Sequence, residues 1–551
     1  MSRLVVDVSN LRVMARTDDG DEVPIVKDVS FSVQAGEVLA LIGESGSGKT
    51  TIALALLGYV RRGCRIAGGR ISVGGKELVS ADPRELLALR GRRVAYVAQS
   101  ASASFNPART IMDQVIEGAC VHGLTDREAA RKKAMALFRS LALPMPETIG
   151  MRYPHQVSGG QLQRLMAAMA LMTDPEVVVF DEPTTALDVT TQIEVLRAFK
   201  QAIKERQISA VYVSHDLAVV AQMADRVVVL RNGEMQEQDE ISRIIGQPEN
   251  PYTRCLMQAA EARVRLTDAD ARQTMDSEPV LRVEGLTAGY GKPDASGVPA
   301  LRILDDVNLV VRKGATMGVI GESGSGKSTL AYVIAGLLAP AKGKISFHGK
   351  PLGGTLQQRD KDLYRRIQLV FQNADTVLNP SNTIGDILAR PLRVFARCQP
   401  RDVPRRVAEL LDMVKLPAAM ARRRPAELSG GQKQRINLAR ALAADPELII
   451  CDEVTSALDT VVGAAILDLL VELRRELNMS YVFISHDIST VRSICDEITV
   501  LLQGRKVDAC LRSELSVQPR APYTNLLIDS VPELRLGWLE EACRRIDERA
   551  R

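Results

Sequence analysis

The chain has 551 residues, of which 46% are hydrophobic and 25% charged, and its formal net charge is +4. This is ordinary globular composition, and so small a charge argues against a protein that coats nucleic acid. No stretch reaches the ~18–20 apolar residues of a membrane-spanning helix. The N-terminus, Met-Ser-Arg-Leu-Val-Val-Asp, has an acid where a secretion signal would continue apolar. We therefore expect a cytosolic chain that serves a membrane only through a partner.

The eight cysteines include no C-x-x-C pair. This spacing argues against a zinc ribbon or a disulfide framework. Reduced, mostly buried thiols are the expectation.

In chain order, each half begins with strand-like alternation, at residues 4–8 and 280–283. An apolar run at 38–42 then predicts a buried parallel strand that leads through a glycine-rich loop into a helix at 50–57. A helical middle that includes residues 126–141 follows, and strand and helix return around 177–180. This order predicts an α/β fold with a mainly parallel sheet.

The string Gly-Glu-Ser-Gly-Ser-Gly-Lys occurs at residues 43–49 and again at 321–327, so its lysines are 278 residues apart (327 − 49). Later motifs repeat with an offset of 271, for example Ser158 and Ser429 (429 − 158). The first half therefore carries seven more residues between these motifs, as a surface-loop insertion would. The repeat predicts domains at 1–260 and 279–530, a polar linker at 261–278, and a tail at 531–551 that looks like a short helix.

Both strings are complete phosphate-binding loops of the form G-x-x-x-x-G-K-[ST]. Their glycines let backbone N–H groups surround a phosphate at a helix N-terminus. The lysine neutralises phosphate charge, and the following hydroxyl binds Mg²⁺. The predicted nucleotide-binding residues are Gly43, Ser45, Gly46, Gly48, Lys49, Thr50 and Thr51 in the first loop, and Gly321, Ser323, Gly324, Gly326, Lys327, Ser328 and Thr329 in the second.

An Asp-Glu pair ends an apolar strand in each half, at residues 181–182 and 452–453. The aspartate suits Mg²⁺ binding, and the glutamate suits polarisation of an attacking water. One such pair could simply cap a strand, but two pairs, each following a phosphate loop, favour catalysis. His215 and His486 each lie 33 residues after their glutamate (215 − 182 and 486 − 453) and are predicted to sense the γ-phosphate.

Ser-Gly-Gly-Gln precedes a helical run at residues 158–161 and 429–432. It predicts a second anion-binding helix N-terminus in each half. A simple phosphate-loop enzyme does not need a second site of this kind.

The ordered set of phosphate loop, glutamine, Ser-Gly-Gly-Gln, Asp-Glu, Ala-Leu-Asp and Ser-His-Asp resembles the ATP-binding cassette (ABC) superfamily over nearly all the chain. The resemblance implies two tandem ABC-type ATPase domains, each with a parallel sheet core, an antiparallel β subdomain and a helical subdomain. It also implies an intramolecular pseudo-dimer in which each ATP lies between the loop of one half and the Ser-Gly-Gly-Gln of the other.

The resemblance assigns these roles residue by residue. The implied catalytic residues are Glu182, His215, Glu453 and His486, and the implied Mg²⁺ ligands are Thr50, Gln99, Asp181, Ser328, Gln372 and Asp452. Besides the loops and both glutamines, the implied ATP contacts are Ser158, Gly159, Gly160, Gln161 and Asp188 in the first half, and Tyr290, Ser429, Gly430, Gly431, Gln432 and Asp459 in the second. No catalytic carboxylate or histidine is missing, so both sites are expected to hydrolyse ATP.

The two predicted sites differ in one aromatic residue. Members of this superfamily usually stack an aromatic ring on the adenine, and Tyr290 matches that position in the second half. Its counterpart in the first half is Ala15. Loss of base stacking costs about 1–3 kcal/mol, so weaker ATP affinity is expected at the first site.

Three features resemble the oligopeptide, dipeptide and nickel importer group: Phe/Leu-Asn-Pro at 105–107 and 378–380, Thr-Ile soon after each, and Pro-Tyr-Thr at 251–253 and 522–524. The resemblance implies two integral-membrane permease subunits, contacted through about 99–117 and 372–391. It also implies a periplasmic or surface solute-binding protein, and a peripheral location on the cytoplasmic face of the inner membrane. No nucleic-acid partner is expected. Peptides are the first candidate cargo, with glycosides, opines and metal complexes also open.

The alternative is a soluble tandem ABC ATPase of translation or DNA repair. Translation-type members carry a long charged linker, whereas only 26 residues separate Thr253 from Pro279 (279 − 253). Repair-type members carry zinc-binding cysteines, which this sequence lacks. The importer subunit is therefore favoured.

Overall fold

The computed structural model of the protein describes residues 3–17, 20–185, 187–261, 264–266, 277–294, 297–456, 458–517 and 520–550. The chain divides into two units. The first contains Met1–Glu261, Asp459–Val461 and Pro532–Arg551, and the second contains Ala262–Leu458 and Val462–Val531. In the described ranges no helix is both long and apolar enough to cross a bilayer. Most of the predicted linker, together with Ala186 and Ala457, lies outside those ranges.

The first unit contains an antiparallel sheet of four strands. Its two longest strands form a hairpin in which buried apolar residues alternate with more exposed ones. One face of the hairpin is therefore apolar and packs into the core. The strand order is Glu22–Gln34, Leu4–Arg16, Cys64–Val73, Lys76–Glu77.

A six-stranded, mainly parallel sheet forms the core of the same unit. Its central strands are apolar along their whole length because both faces are covered. The last strand is antiparallel to its neighbour. The order is Val94–Val97, Val177–Asp181, Ser209–Val213, Val38–Gly43, Arg226–Arg231, Glu234–Glu240.

The described helices of the first unit surround this sheet or form the helical region between the glutamine and the Asp-Glu pair. Helix Arg127–Ser140 matches the predicted helix at 126–141 and is capped by the carboxylate of Asp126. The others are Lys49–Ala55, Pro83–Leu89, Ala101–Ser104, Ile111–Val115, Glu117–Val121, Gly159–Leu171, Val189–Arg206, Leu217–Met223, Ile241–Gly246, Pro251–Ala260 and Trp538–Ala550, with 3₁₀ turns at Ile149–Met151 and Pro154–Gln156.

The second unit repeats the two-sheet construction. Its antiparallel sheet runs Pro299–Arg312, Pro279–Pro293, Lys342–Phe347, Lys350–Pro351, and its parallel sheet runs Ile367–Val370, Leu448–Asp452, Ser480–Ile484, Thr316–Ile320, Glu497–Leu502, with Arg505–Leu511 antiparallel at the edge. The predicted α/β class with parallel cores and antiparallel and helical parts is confirmed.

The helices that begin among the described residues of the second half follow the same order as in the first. They are Lys327–Ala335, Lys361–Arg366, Ala374–Val377, Ile384–Val394, Val403–Met413, Gly430–Leu442, Thr460–Leu477, Ile488–Ile494 and Pro522–Asp529. Short 3₁₀ turns lie at Leu356–Gln358, Pro400–Asp402, Ala418–Arg422, Pro425–Glu427 and Arg512–Glu514.

The tail forms the predicted helix, Trp538–Ala550, and belongs to the first unit. Trp538 is 1% exposed and joins the apolar cluster of that unit. The side-chain amide of Gln222 donates to the carbonyls of Glu533 (3.0 Å) and Arg535 (2.9 Å) and accepts from the backbone N–H of Leu539. The chain's last segment is thus part of the core of its first unit.

Candidate functional site

The first phosphate loop joins a buried strand to a helix. Strand Val38–Gly43 enters the loop and helix Lys49–Ala55 leaves it. At the N-cap, Gly48 has a φ of 96°, in the left-handed region that favours glycine. A Cβ on Gly43 would lie 2.0 Å from the carbonyl oxygen of Leu230, so no side chain fits there.

The second loop has the same geometry. It connects Thr316–Ile320 to Lys327–Ala335, and Gly326 has a φ of 100°. A Cβ on Gly321 would lie 2.2 Å from the carbonyl oxygen of Leu501. Identical loop sequences therefore fold in the same way in both units. The other predicted loop residues lie on the same segments: Ser45, Gly46, Thr50 and Thr51, and Ser323, Gly324, Ser328 and Thr329.

Each loop lysine is buried against its own loop. Lys49 Nζ donates to the backbone oxygens of Gly43 and Glu44, both at 2.8 Å, and Lys327 makes the equivalent bonds at 2.7 and 2.8 Å. Burial lowers the pKa of Lys49, and nearby carboxylates partly offset this effect. Both ammonium groups therefore sit inside the curve of a phosphate-binding loop.

The aspartate of each Asp-Glu pair, which ends strand Val177–Asp181 or Leu448–Asp452, contacts the hydroxyl that follows the loop lysine. Thr50 Oγ1 donates to Asp181 Oδ1 at 3.1 Å, and Ser328 makes the equivalent bond to Asp452 at 3.1 Å. Asp181 has a further donor, because the hydroxyl of Tyr96 lies 2.7 Å from its Oδ2.

Burial raises the pKa of both aspartates. Burial raises the pKa of Asp452 to about 6. Burial also raises the pKa of Asp181, but the hydrogen bonds from Tyr96 and Thr50 oppose that rise. The position equivalent to Tyr96 in the second half is Leu369, three residues before Gln372, so Tyr96 is a site residue that motif matching does not find.

The predicted catalytic glutamates lie between a glutamine and a histidine. Gln99 Nε2 donates to Glu182 Oε2 at 3.0 Å, and His215 Nδ1 lies 3.1 Å from Glu182 Oε1. Burial would raise the pKa of Glu182, but the hydrogen bond and charge of His215 overcome it and hold the pKa below its ordinary value. Burial lowers the pKa of His215, but the hydrogen bond and charge of Glu182 outweigh burial and raise that pKa above its ordinary value.

The second unit contains the same triad. Gln372 Nε2 donates to Glu453 Oε2 at 2.8 Å, and His486 Nδ1 lies 3.4 Å from Glu453 Oε1. The hydrogen bond to Glu453 raises the pKa of His486. The pKa of Glu453 is lowered, because His486 outweighs the effect of burial. In each half the structure thus brings together the predicted glutamine, glutamate and histidine.

Both glutamates also have unusual backbone conformations. Glu182 has a φ of 48° and Glu453 a φ of 49°. For residues other than glycine such conformations cost about 1–3 kcal/mol and concentrate at functional sites. Backbone bonds from Glu182 N to Val213 O (2.9 Å) and from Glu453 N to Ile484 O (3.0 Å) hold them.

The Ser-Gly-Gly-Gln segments open helices Gly159–Leu171 and Gly430–Leu442. Ser158 and Gln161 cap each other reciprocally, and Ser429 does the same with Gln432. Ser158, Gly159, Ser429 and Gly430 are exposed, so the first N–H groups of both helices can be reached by a ligand.

The second glycine of each segment has a packing role. A Cβ on Gly160 would lie 2.0 Å from Thr191 Cγ2, and a Cβ on Gly431 would lie 2.2 Å from Val462 Cγ1. Close approach of the next helix therefore requires glycine at both positions.

The two Ala-Leu-Asp aspartates each directly precede a long helix. Asp188 caps helix Val189–Arg206 through Thr191 N (2.9 Å). Asp459 belongs to the first unit, and its charge acts on Lys49. The adjacent Thr460 donates to the backbone oxygen of His215 at 2.8 Å. A segment distant in sequence is therefore part of the first unit's site.

The strand register supports the predicted aromatic difference. Tyr290 pairs with Leu301 and is 43% exposed, while Ala15 pairs with Val23. Val26, three residues after Val23, lies beside the N-cap glycine Gly48. Leu304, three residues after Leu301, lies beside the N-cap glycine Gly326. Tyr290 and Ala15 therefore hold the same place relative to their loops.

We expect Tyr290→Ala to weaken nucleotide binding at the second site by about 5- to 150-fold, since base stacking is worth about 1–3 kcal/mol. Ala15→Tyr should strengthen the first site. Titration with a fluorescent ATP analogue, with the other loop inactivated by Lys49→Ala or Lys327→Ala, measures each site alone. Tyr290→Phe keeps the ring and should bind as the parent does. Equal affinities of the two sites in the unmutated chain would contradict the prediction.

The residues fit a magnesium nucleotide. Thr50 and Asp181 present hard oxygen atoms, and Mg²⁺ commonly takes one or two such protein ligands and completes its shell with water and phosphate oxygens. Among the described residues, Ser325 Oγ in the second loop is buried without a hydrogen-bond partner, as expected of a polar group that hydrogen-bonds to a ligand.

Together the fold and the two phosphate loops define a tandem phosphate-loop ATPase. The ABC transporter family matches residues 26–185 and 304–456. The family described as oligopeptide/dipeptide transporter, C-terminal region, matches residues 511–549. The chain belongs to the ABC transporter family and is an ATPase, which confirms the predicted family and activity.

Known proteins resemble the chain over almost its full length. The glutathione import ATP-binding protein GsiA of Escherichia coli K12 is 37% identical, over 96% of this chain and 89% of that protein. GsiA of Shigella flexneri gives the same values. Among solved structures, the archaeal ribosome recycling factor aABCE1, in complex with the ribosomal stalk protein aP1, covers 90% of each chain with a TM-score of 0.60 and 20% identity. At that identity the likeness shows the fold alone.

Proposed function

We propose that this chain is the ATP-hydrolysing subunit of an importer for peptide-type solutes, with glutathione and short peptides as the first candidates. The observation that carries the proposal is the likeness to GsiA, which spans both ATPase domains, together with the match of residues 511–549 to the oligopeptide/dipeptide transporter region. The partners are two integral-membrane permease subunits supplied by a solute-binding protein. The chain works peripherally on the cytoplasmic face of the inner membrane.

We further propose that each ATP-binding site is formed by residues of both halves. Lys49 with its loop would act with Ser429, Gly430 and Gly431, and Lys327 with its loop would act with Ser158, Gly159 and Gly160. The exposed N-termini of the Ser-Gly-Gly-Gln helices support this pairing, because they leave N–H groups available to an anion. A second observation also supports this pairing, because Thr460, from the second half of the sequence, donates a hydrogen bond to the backbone oxygen of His215 in the first unit.

The proposed chemistry uses the groups already described. Thr50, Gln99 and Asp181 would hold Mg²⁺ in the first site, and Ser328, Gln372 and Asp452 in the second. When bound, the ion neutralises charge on the β- and γ-phosphates. Each glutamate accepts a proton from the attacking water, and its histidine keeps that carboxylate oriented and ionised at neutral pH.

Capture from solubilised membranes of the source organism tests the function. The tagged chain should recover two integral-membrane proteins. Reconstituted with them, it should drive ATP-dependent uptake of radiolabelled glutathione or dipeptide but not of a glycoside. A Lys49→Ala, Lys327→Ala chain should assemble without uptake. Recovery of ribosomes and no permease would support the translation alternative and overturn the proposal.

A further inference from the structure

The Pro-Tyr-Thr segments, which marked the subfamily in the sequence, have no place in the chemistry above. Both open helices near the end of their half, Pro251–Ala260 and Pro522–Asp529, with proline in the first turn where its missing N–H costs nothing. Thr253 and Thr524 are fully buried, which fixes the start of each helix in the core.

In the second unit the tyrosine of this segment reaches the phosphate loop. The hydroxyl of Tyr523 accepts the backbone N–H of Glu322 at 2.9 Å, although 201 residues separate them. The carbonyl of the same Glu322 accepts from Lys327 Nζ at 2.8 Å. One residue of the loop is thus held by the tyrosine on its N–H side and by the lysine on its carbonyl side.

The first unit places the equivalent tyrosine at the equivalent loop residue. Tyr252 is 7% exposed, and the guanidinium of Arg231 lies 4.6 Å from its ring centroid. Its hydroxyl lies close to Glu44 but outside hydrogen-bonding geometry among the described residues. Glu44 is again the residue whose carbonyl accepts from the loop lysine, Lys49, at 2.8 Å.

We propose that Tyr523 is a positioning residue for the second nucleotide site: its hydroxyl fixes the peptide of Glu322, and with it the carbonyl that holds Lys327. The hydroxyl of Tyr252 makes no equivalent bond in the described part of the first unit. This inference rests on the proposed role of the loops as nucleotide sites. A preorganised loop binds its ligand more tightly because less order has to be imposed on binding. The Pro-Tyr-Thr helix is thereby connected to the loop that starts its own half.

Tyr523→Phe in a full-length chain that carries Lys49→Ala tests the proposal. It keeps the ring and removes the acceptor of a loop N–H, which typically contributes about 1 kcal/mol. We expect a fluorescent ATP analogue to bind the second site about 3- to 10-fold more weakly. In the chain with both loops intact, the KM for ATP should rise with kcat nearly unchanged, whereas partial misfolding would lower kcat and leave KM alone.

Two tyrosine controls separate this effect from the loss of any buried hydroxyl. Tyr481 is 2% exposed, and its hydroxyl has no hydrogen-bond partner in the described part of the chain. Tyr481→Phe should leave the affinity within about twofold, as should Tyr252→Phe in a Lys327→Ala chain. An unchanged affinity in Tyr523→Phe, or an equal loss in Tyr481→Phe, would overturn the proposal. Binding that persists in the Lys49→Ala, Lys327→Ala chain would instead refute the loop sites themselves.

Discussion

Glu182→Gln and Glu453→Gln, made singly, should each remove at least half of the ATP turnover, and the double variant should lose about 10²- to 10⁴-fold. Removal of a positioned general base typically has an effect of this size. Two independent sites would leave half the rate in each single variant. A greater loss in the singles would show that the sites turn over together.

The structure gives the reason for expecting both sites to work. Each glutamate accepts a hydrogen bond from its glutamine and lies within 3.4 Å of its histidine. Both have the same strained backbone, with φ of 48° and 49°. Glutamine preserves the size of the side chain and an acceptor oxygen, so the change removes the charge and the proton acceptor and little else.

Steady-state phosphate release measures the effect, and thermal unfolding of each variant tests whether the fold is intact. Glu205→Gln and Glu476→Gln, both exposed and one in each half, are matched controls that should turn over normally. Wild-type turnover in either Glu182→Gln or Glu453→Gln would refute the claim that both sites hydrolyse ATP.

Trp538→Ala should destabilise the first unit by about 3–5 kcal/mol, the usual cost of emptying a large aromatic site in a core. Trp538 is 1% exposed, and its neighbours Leu539 and Ala542 are 2% and 0% exposed. Ion pairs from Arg197 to Asp547 (2.9 Å) and from Lys200 to Glu540 (2.7 Å) flank this contact, but such surface pairs contribute little.

Scanning calorimetry should show the transition of the first unit falling by on the order of 10 °C, since 1 kcal/mol shifts the melting temperature of a unit this large by about 2–4 °C. Leu536→Ala is the matched control, because Leu536 is 45% exposed and should cost little. Trp538 is the only tryptophan, so its fluorescence in the unmutated chain reports directly when the tail leaves the core. An unchanged first transition in Trp538→Ala would contradict the buried position.

Much of the fold could be predicted because its signals are local. The apolar runs before each phosphate loop, the glycines with positive φ and the capping residue Asp126 all act within a few residues of one another. The position of the Asp-Glu pair at the end of an apolar strand was also predicted correctly, whereas the contact between Glu182 and His215 was not predicted.

The features that the sequence did not reveal depend on long-range contacts. The tail helix shows an apolar face, but nothing in its residues specifies that Gln222 and the core of the first unit cover it. Tyr96 matches no motif, and its bond to Asp181 arises from strand pairing. The Pro-Tyr-Thr segments were visible as a pattern, whereas the contact between Tyr523 and Glu322 depends on the packing of a helix against a loop 201 residues earlier.

The central claim is that each nucleotide site is completed by the opposite half, and photolabelling tests it directly. A Glu182→Gln, Glu453→Gln chain is labelled with an azido-ATP analogue, and labelled peptides are assigned to each half by mass spectrometry. Ser429→Arg should reduce the labelling of the loop around Lys49, and Ser158→Arg that of the loop around Lys327. Loss of label in the half that carries the substitution, with the opposite half unaffected, would contradict the account.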